Sequence, residues 1–348
     1  MKRKSNIQDV AQLARVSTAS VSYVLNGIGK VSAETRQRIL DAVRELDYQP
    51  DLMAKGLSSG NSKLIGVTLP ITEAGDNADA LFEHNPFFSE FLSAIIKVFS
   101  NEEYDIVIRG VQEGGEYREW VRRRNPDGLI MLGAYPKSLY QHLKKQGIPV
   151  VMTDIYSDEH AKDFHLIRID DEYGGYLAAR HLIDLGHRRI AFAAGNIQRS
   201  PVNFYRRQGY IKALSESGIA FEEGLCFDRP VTYQAGYELG RELVENQGGI
   251  TAIFAAADIM AIGIMKAFLE SGKRVPEDLS VIGFDDIHLS RYTTPGLTTV
   301  KQDILMKGRL CAQMVLADLK NKQQNKGTII LRPELTLRQS TAPISTKE

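Results

Sequence analysis

Residues 7–26 read IQDVAQLARVSTASVSYVLN, and this stretch determines the fold predicted for the amino-terminal part of the chain. Apolar residues recur there at helical spacing in two short segments, which are Ile7, Val10, Ala11 and Ala14, and then Val21, Val24 and Leu25. Ser17 is placed to cap the second segment. The stretch therefore predicts two short helices joined by a tight turn.

The outer face of the second predicted helix carries small and polar side chains, which are Thr18, Ala19, Ser22, Tyr23 and Asn26. Hydroxyl, amide and methyl groups contact base edges and phosphates when a helix enters the major groove of DNA. The pattern favours a helix-turn-helix that reads duplex DNA. A small helical bundle without a role in DNA binding is the alternative.

The segment after this stretch predicts one further helix and then a linker. Ser32 can cap a helix with one apolar face, which completes a three-helix domain. Residues 51–57 could form a very short helix, and residues 58–62 read SSGNS, which is typical of a flexible linker. Such a short helix, which contains a glycine, is not stable alone in water and needs a partner.

Composition and charge restrict the class of protein. The chain has 348 residues, of which 43% are hydrophobic and 25% charged, so we expect a small amino-terminal domain and a large globular body. The net charge is zero, but residues 1–62 carry nine Lys and Arg against six Asp and Glu, a net charge of +3 that leaves −3 on the remainder. A basic end suits phosphate contact, although the charge is small.

The cysteines and the hydropathy pattern indicate a compartment. Cys226 and Cys311 lie far apart, and the chain begins without an apolar leader. These features argue against a disulfide framework and against secretion, so we expect a cytoplasmic protein. No apolar run has the length needed to span a bilayer, and no membrane partner is expected.

From Lys63 onward the sequence alternates apolar runs with helical segments. The apolar runs are residues 64–69, 104–108, 128–132, 149–153, 166–169, 189–193, 252–255 and 280–284. This is the βαβ rhythm of a mostly parallel sheet. The number of runs and a polar break at 157–164 favour two stacked α/β lobes. Because such sheets bind ligands at the carboxyl ends of their strands, the loops there should line a cleft between the lobes.

Ordered motifs along the chain resemble those of LacI/GalR-type (lac repressor family) transcription regulators. They include residues 9–11 (DVA), 20–22 (SVS), 31–36 (VSAETR), 46–50 (LDYQP), 85–88 (NPFF), 185–190 (LGHRRI), 281–286 (VIGFDD) and 295–300 (PGLTTV). The resemblance covers essentially the whole chain. It implies a small all-α helix-turn-helix head and a hinge helix, followed by a two-lobed α/β body with parallel sheets, similar to periplasmic binding proteins.

The resemblance also implies domain boundaries. The domains would be a DNA-binding domain (1–49), a hinge helix and linker (50–62), an effector-binding and dimerisation domain (63–340) and a flexible tail (341–348). Within the third domain, the N-lobe would comprise about 63–160 plus 294–325, and the C-lobe about 163–291 plus 328–340. The tail lacks the leucine heptads of a tetramerising extension, so we expect a homodimer.

In such regulators each head of a dimer enters the major groove of one half of a near-palindromic operator. By position, the base-reading residues would be Thr18, Ala19 and Tyr23, together with Ala54 and Leu57 of the hinge helix. The phosphate contacts would be Ser17, Ser20, Ser22, Asn26 and Thr35. The hinge helix would pair with its twin in the minor groove, where Leu57 would wedge into the central base step. A plain linker with a buried leucine is the alternative.

Two positions of the head depart from the family pattern. Tyr23 stands where the family commonly has Arg, the natural bidentate reader of guanine, so we expect a different half-site preference. Arg15 stands at a turn position where the family usually has Gly, which leaves the geometry of the turn open.

In the body, the resemblance implies five effector-site residues, which are Phe87, Phe88, Asp154, Arg206 and Asp258. A guanidinium that faces a carboxylate can hold vicinal hydroxyls over an aromatic plane, which suits a sugar. A surface salt bridge for Arg206 and core positions for the two phenylalanines are the alternatives. Ala257 stands where many relatives have Asn, and Val231 stands where an aromatic residue is common.

The sequence therefore predicts a ligand-responsive repressor of carbohydrate-utilisation genes that a sugar or sugar derivative releases from its operator. A purine-type corepressor-dependent repressor of the same family is the alternative, followed by an α/β sugar-binding protein or enzyme without a regulatory role. No catalytic, nucleotide-binding or metal-ligand motif is legible, so we expect no enzyme activity, cofactor or metal. The acidic segment 71–84 predicts either a solvated loop or a lid over the cleft. The identity of the effector stays open.

Overall fold

The computed structural model describes residues 5–25, 27–48, 62–70, 82, 85–111, 114–133, 135, 137–156, 162–321 and 326–344. The chain divides into two compact units, Met1–Lys63 and Leu64–Glu348. The predicted linker ends at residue 62, one residue before this division. Within the described residues, no helix is both long and apolar enough to cross a membrane.

The described residues of the first unit form three helices, α1 (Ile7–Ala14), α2 (Thr18–Leu25) and α3 (Ala33–Glu45). A capping box begins α1, because the Asn6 side chain accepts from backbone N–H groups of the first turn while the Asp9 carboxylate accepts from the Asn6 N–H. The three helices enclose a small core that includes Val10, Val21 and Ile39. The predicted helix-turn-helix fold is confirmed.

Arg15 settles the geometry of the turn between α1 and α2. Its backbone adopts the left-handed conformation, with φ 55° and ψ 52°, and its N–H bonds to carbonyl oxygens in the last turn of α1. The turn therefore keeps a conformation that suits glycine, at a cost of about 1 kcal/mol for a residue with a Cβ atom.

The second unit alternates strands and helices. Its helices are α4 (Pro86–Ser100), α5 (Gly114–Arg124), α6 (Lys137–Gln146), α7 (Asp171–Asp184), α8 (Pro201–Glu216), α9 (Tyr233–Glu245), α10 (Asp258–Glu270) and α11 (Ile304–Asn321). Its strands are β1 (Leu64–Pro70), β2 (Asp105–Val111), β3 (Gly128–Leu132), β4 (Val150–Thr153), β5 (His165–Ile169), β6 (Ile190–Ala194), β7 (Cys226–Asp228), β8 (Ala252–Ala255), β9 (Ser280–Asp285), β10 (Thr298–Lys301), β11 (Thr328–Leu331) and β12 (Glu334–Thr336). Two short 3₁₀ turns, Glu223–Leu225 and His288–Arg291, complete the described elements.

The strands form two six-stranded sheets, which define two lobes. The first sheet has the order β11-β5-β4-β3-β1-β2 and is parallel throughout. The second has the order β12-β10-β9-β8-β6-β7, in which β12 alone is antiparallel to its neighbour. Apolar clusters lie on both faces of each sheet, which explains why β3, β6 and β8 read as continuous apolar runs.

The lobe boundaries differ from the predicted ones at three strands. β5 and β11, which the sequence placed in the C-lobe, belong to the first sheet, and β10, which it placed in the N-lobe, belongs to the second. The chain passes between lobes at residue 170, at 302–303 and at 332–333, immediately after strands end. An apolar run has the same composition in either sheet, so sequence alone does not assign it to a lobe.

Candidate functional site

A cleft of about 630 Å³ lies at the carboxyl ends of the strands of the second unit. Leu132 and Gly133 line it at the end of β3, Asp154 follows β4, and Asp285 ends β9. Residues at both lobes' strand ends thus surround one cavity, as expected for open α/β sheets. The cavity is within the usual size range of small-molecule sites.

Arg206, on α8, is the central cation of the cleft and is 6% exposed. Its Nε donates to Oδ1 of Asp171 at 2.7 Å, and its Nη1 donates to the carbonyl oxygen of Ala256 at 2.6 Å. The guanidinium carbon lies 3.6 Å from the centre of the Phe284 ring. Burial lowers the pKa of Arg206, but the facing carboxylates of Asp171 and Asp285 outweigh this effect and raise it, so the guanidinium stays charged.

Two glycines allow the close approach of α7 and α8 that brings Asp171 to Arg206. A Cβ atom at Gly175 would lie 2.0 Å from the carbonyl oxygen of Arg206, and one at Gly209 would lie 1.9 Å from that of Glu172. The hydroxyl of Tyr156 also donates to the Asp171 carboxylate. The cation is therefore fixed by backbone packing as well as by charge.

Asp285 provides a carboxylate on the other side of Arg206. Its Oδ1 lies 3.8 Å from Nη1 of Arg206 and accepts a hydrogen bond from the Gln302 amide. Its backbone has φ 120°, a strained conformation for a residue with a Cβ atom. Burial raises the pKa of Asp285 to about 7, although Arg206, Gln302 and Lys307 each lower it. Burial thus outweighs the nearby donors and cations and favours the neutral form of this carboxyl.

The first lobe contributes an ion pair and two aromatic rings. Nζ of Lys307, on α11, lies 2.6 Å from Oδ1 of Asp154 and 5.4 Å from the centre of the Phe87 ring. Phe88 meets Phe87 edge to face, with 5.4 Å between ring centres. The cleft therefore contains cations and carboxylates of both lobes and an aromatic surface of the first lobe.

Four of the five predicted effector-site residues lie together in this cleft, which are Phe87, Phe88, Asp154 and Arg206. Ala257 and Val231 also line it. Asp285, Gln302 and Lys307 also line the cleft, although they were not among the predicted site residues. The position of Asp285 at the carboxyl end of a predicted strand could have indicated it, whereas nothing in the sequence of α11 distinguishes Lys307 from a solvated lysine.

Asp258 does not line the cleft, which corrects the prediction for this residue. It begins α10, is fully buried, and accepts hydrogen bonds from the N–H of Ile287 at 3.0 Å and from the hydroxyl of Ser290 at 2.6 Å. The Thr299 hydroxyl donates to its other oxygen. Its carboxylate thus ties the loop after β9 to β10 and is saturated by protein donors.

In the first unit, the predicted DNA-contact residues lie on and beside α2. Ser17, Thr18 and Ala19 are exposed, and Ser20, Ser22, Tyr23 and Thr35 are half-buried. Asn26, Ala54 and Leu57 lie outside the described residues. The Ser17 hydroxyl accepts from the N–H of Ser20 at 3.2 Å, and Nζ of Lys30 lies 5.4 Å from the centre of the Tyr23 ring.

Family models match both units. A model described as bacterial regulatory proteins of the lacI family matches residues 6–51, and one described as a periplasmic binding protein-like domain matches residues 179–341. The HTH-type transcriptional repressor PurR of Mannheimia succiniciproducens is 32% identical to this chain over 347 residues, which are 98% of this chain and 100% of that protein. The chain belongs to the LacI family.

Two further LacI-family proteins show how far the similarity extends. The ribose operon repressor of Haemophilus influenzae is 32% identical, over 97% of this chain and 98% of its own. The structure of the lac repressor dimer bound to operator and the anti-inducer ONPF has a TM-score of 0.80 at 29% identity, over 98% of this chain and 100% of that chain. This LacI-family protein is a ligand-binding transcriptional repressor, and its relatives are transcriptional repressors.

Proposed function

We propose that this LacI-family repressor binds a sugar or sugar derivative in the cleft and releases its operator when the cleft is filled. The proposal rests on the position of Arg206 beside the carboxylates of Asp171 and Asp285, in a cleft that Asp154 and Phe87 also line.

The chemistry of this arrangement matches vicinal hydroxyls. Each hydroxyl of a sugar both donates and accepts, so adjacent hydroxyls can accept from a guanidinium and donate to a carboxylate. Among the described residues, none accepts a hydrogen bond from Nη2 of Arg206, which leaves this nitrogen for the effector. The rings of Phe87 and Phe88 offer an apolar surface to the C–H face of a sugar ring.

The relatives provide support for the sugar and also define the alternative. One relative is named as the repressor of a ribose operon, which favours carbohydrate control. Another is named PurR, so a purine corepressor that promotes operator binding is the second candidate.

At the DNA, we propose that α2 enters the major groove and that Thr18, Ala19 and Tyr23 contact base edges. Ser17, Ser20, Ser22 and Thr35 would contact phosphates, because short hydroxyls suit phosphate oxygens. The roles of Asn26, Ala54 and Leu57 stay predictions. The repressor acts as a homodimer on a near-palindromic operator in the bacterial cytoplasm, without enzyme activity.

Effector binding would act through the angle between the lobes. Asp154 belongs to the first lobe, and Arg206 and Asp285 belong to the second, so an effector that contacts all three favours one lobe arrangement. A ligand shifts such an equilibrium by its difference in affinity for the two arrangements.

A thermal-shift screen of neutral sugars, sugar phosphates and purine bases tests the proposal, because a bound ligand stabilises the folded state. We expect a neutral sugar to raise the melting temperature. The variant Arg206→Ala should lose this response, whereas Arg241→Ala, an exposed residue of α9 outside the cleft, should keep it. A panel in which no sugar binds, or full retention of the response by Arg206→Ala, would overturn the proposal.

A further inference from the structure

We propose that Lys307 sets the charge selectivity of the cleft and positions Asp154 and Asp285 for an uncharged polyhydroxyl effector. The inference rests on the proposed function and specifies the chemical class of the sugar. It starts from a lysine that is 1% exposed yet contributes to the wall of the cleft.

Lys307 is linked to polar groups of both lobes. Its Nζ lies 2.6 Å from Oδ1 of Asp154, which follows β4 of the first sheet, and 3.5 Å from Oε1 of Gln302. Gln302 lies where the chain passes from β10 of the second sheet to α11. The Gln302 amide in turn donates to Oδ1 of Asp285. A series of four contacting side chains therefore connects the carboxylate of one lobe to that of the other.

In this series only one oxygen of the Asp154 carboxylate and one oxygen of the Asp285 carboxylate are hydrogen-bonded. Among the described residues, no hydrogen bond reaches Oδ2 of Asp154 or Oδ2 of Asp285. A carboxylate oxygen accepts from a hydroxyl donor, so the two remaining oxygens suit hydroxyls of one ligand that spans the lobes. Lys307 acts through these carboxylates and is a positioning residue in this arrangement.

The charges around the cleft favour a neutral ligand. Lys307 is paired with Asp154, and Arg206 is paired with Asp171, so each buried cation already has a carboxylate partner. Asp285 adds between zero and one negative charge. At the rim, the exposed Arg199 and Glu238 have opposite charges. An anionic group would meet no unpaired buried cation among the described residues, and it would lose its hydration on entry.

Removal of the Lys307 charge should change how effector binding depends on pH. The charged groups that face Asp285 are Arg206 on α8, Lys307 on α11, Asp171 on α7 and the fully buried carboxyl of Asp258 on α10. Lys307 lowers the pKa of Asp285. In Lys307→Met this pKa should therefore rise above about 7, so less of the carboxylate is ionised at neutral pH to accept from the effector.

Isothermal titration calorimetry from pH 6 to pH 9 tests the proposal with the full-length protein. The probes are the neutral sugar that gives the largest thermal shift and its phosphate ester, for example D-ribose and D-ribose 5-phosphate. The wild-type protein should bind the neutral sugar at least tenfold more tightly. In Lys307→Met the affinity at pH 7 should fall about tenfold or more, and the midpoint of the pH profile should move up by about one unit.

Two variants provide controls. Lys307→Arg keeps the charge and should retain the wild-type midpoint, and Lys320→Met removes an exposed lysine of the same helix and should change nothing. Tighter binding of the phosphate ester by the wild-type protein, or an unchanged pH profile in Lys307→Met, would overturn the inference. If Lys307→Met does not fold, Lys307→Gln replaces it with the same expected outcomes.

A measurement without effector separates this inference from the proposed function. Carboxyl ¹³C NMR of aspartate-labelled protein, with Asp285 assigned through Asp285→Asn, should give a higher pKa of Asp285 in Lys307→Met than in the wild type. A screen in which no sugar binds would overturn the proposed function, whereas an unchanged Asp285 titration would overturn the role of Lys307 alone.

Discussion

Replacement of Asp285 by Asn should change how the stability of the second unit depends on pH. Burial raises the pKa of this carboxyl from 3.8 to about 7. Between these values the folded protein retains a proton that the unfolded chain has released. The stability that the group contributes is therefore complete below about pH 4 and is lost as the pH rises through 7.

The magnitude follows from the width of this pH window. Each pKa unit corresponds to about 1.36 kcal/mol, and the folded carboxyl is already half ionised at pH 7, so the free energy of unfolding should fall by about 2 kcal/mol between pH 5 and pH 7. Asn does not titrate, and its side-chain oxygen can still accept from Gln302. The difference in free energy of unfolding, wild type minus Asp285→Asn, should therefore fall by this amount between pH 5 and pH 7 and then level off.

Urea denaturation of the full-length protein, followed by far-ultraviolet circular dichroism at pH 5, 6, 7 and 8, measures this difference. Asp184→Asn, which alters an exposed carboxylate of α7, should show no such slope. A difference that stays constant from pH 5 to pH 8 would mean that Asp285 is ionised throughout, and the prediction would then be wrong.

Three further predictions concern single residues. Arg15→Gly should raise the free energy of unfolding of the first unit by roughly 0.5 kcal/mol, because relief of left-handed strain exceeds the extra entropy of the unfolded chain. If urea denaturation gives a lower free energy of unfolding for the variant than for the wild type, the turn is unstrained. Asp258→Ala leaves three buried donors without their acceptor and should lower the free energy of unfolding by about 3 kcal/mol. The Kd of the sugar should change less than twofold. A large loss of affinity would show that Asp258 takes part in effector binding. Tyr23→Ala should weaken binding to the specific operator roughly tenfold or more in fluorescence anisotropy, but not binding to random DNA; equal losses on both would indicate a packing role.

The sequence was most informative where structure depends on local spacing. The apolar residues of α1 and α2 repeat every three or four positions, and Ser17 and Ser32 mark helix starts, so the head could be predicted without knowledge of distant contacts. The same holds for the alternation of buried strands and helices in the body.

Distant contacts account for what the sequence did not reveal. Asp258 and Asp285 each lie next to the end of an apolar strand. Hydrogen bonds from Ile287, Ser290 and Thr299 hold the Asp258 carboxylate inside its own lobe. Asp285, in contrast, lines the cleft. Lys307 reaches the cleft from a helix of the other lobe. The sheet to which β5, β10 and β11 each belong likewise depends on strand pairing across long sequence separations.

Control of DNA binding by the occupied cleft can be measured as operator affinity, by fluorescence anisotropy at increasing sugar concentration. We predict that the sugar that stabilises the wild-type protein weakens operator binding at least tenfold at saturation. By reciprocity, the operator should weaken sugar binding by the same factor. Operator affinity that does not change while the same sugar fills the cleft would show that the cleft does not control DNA binding.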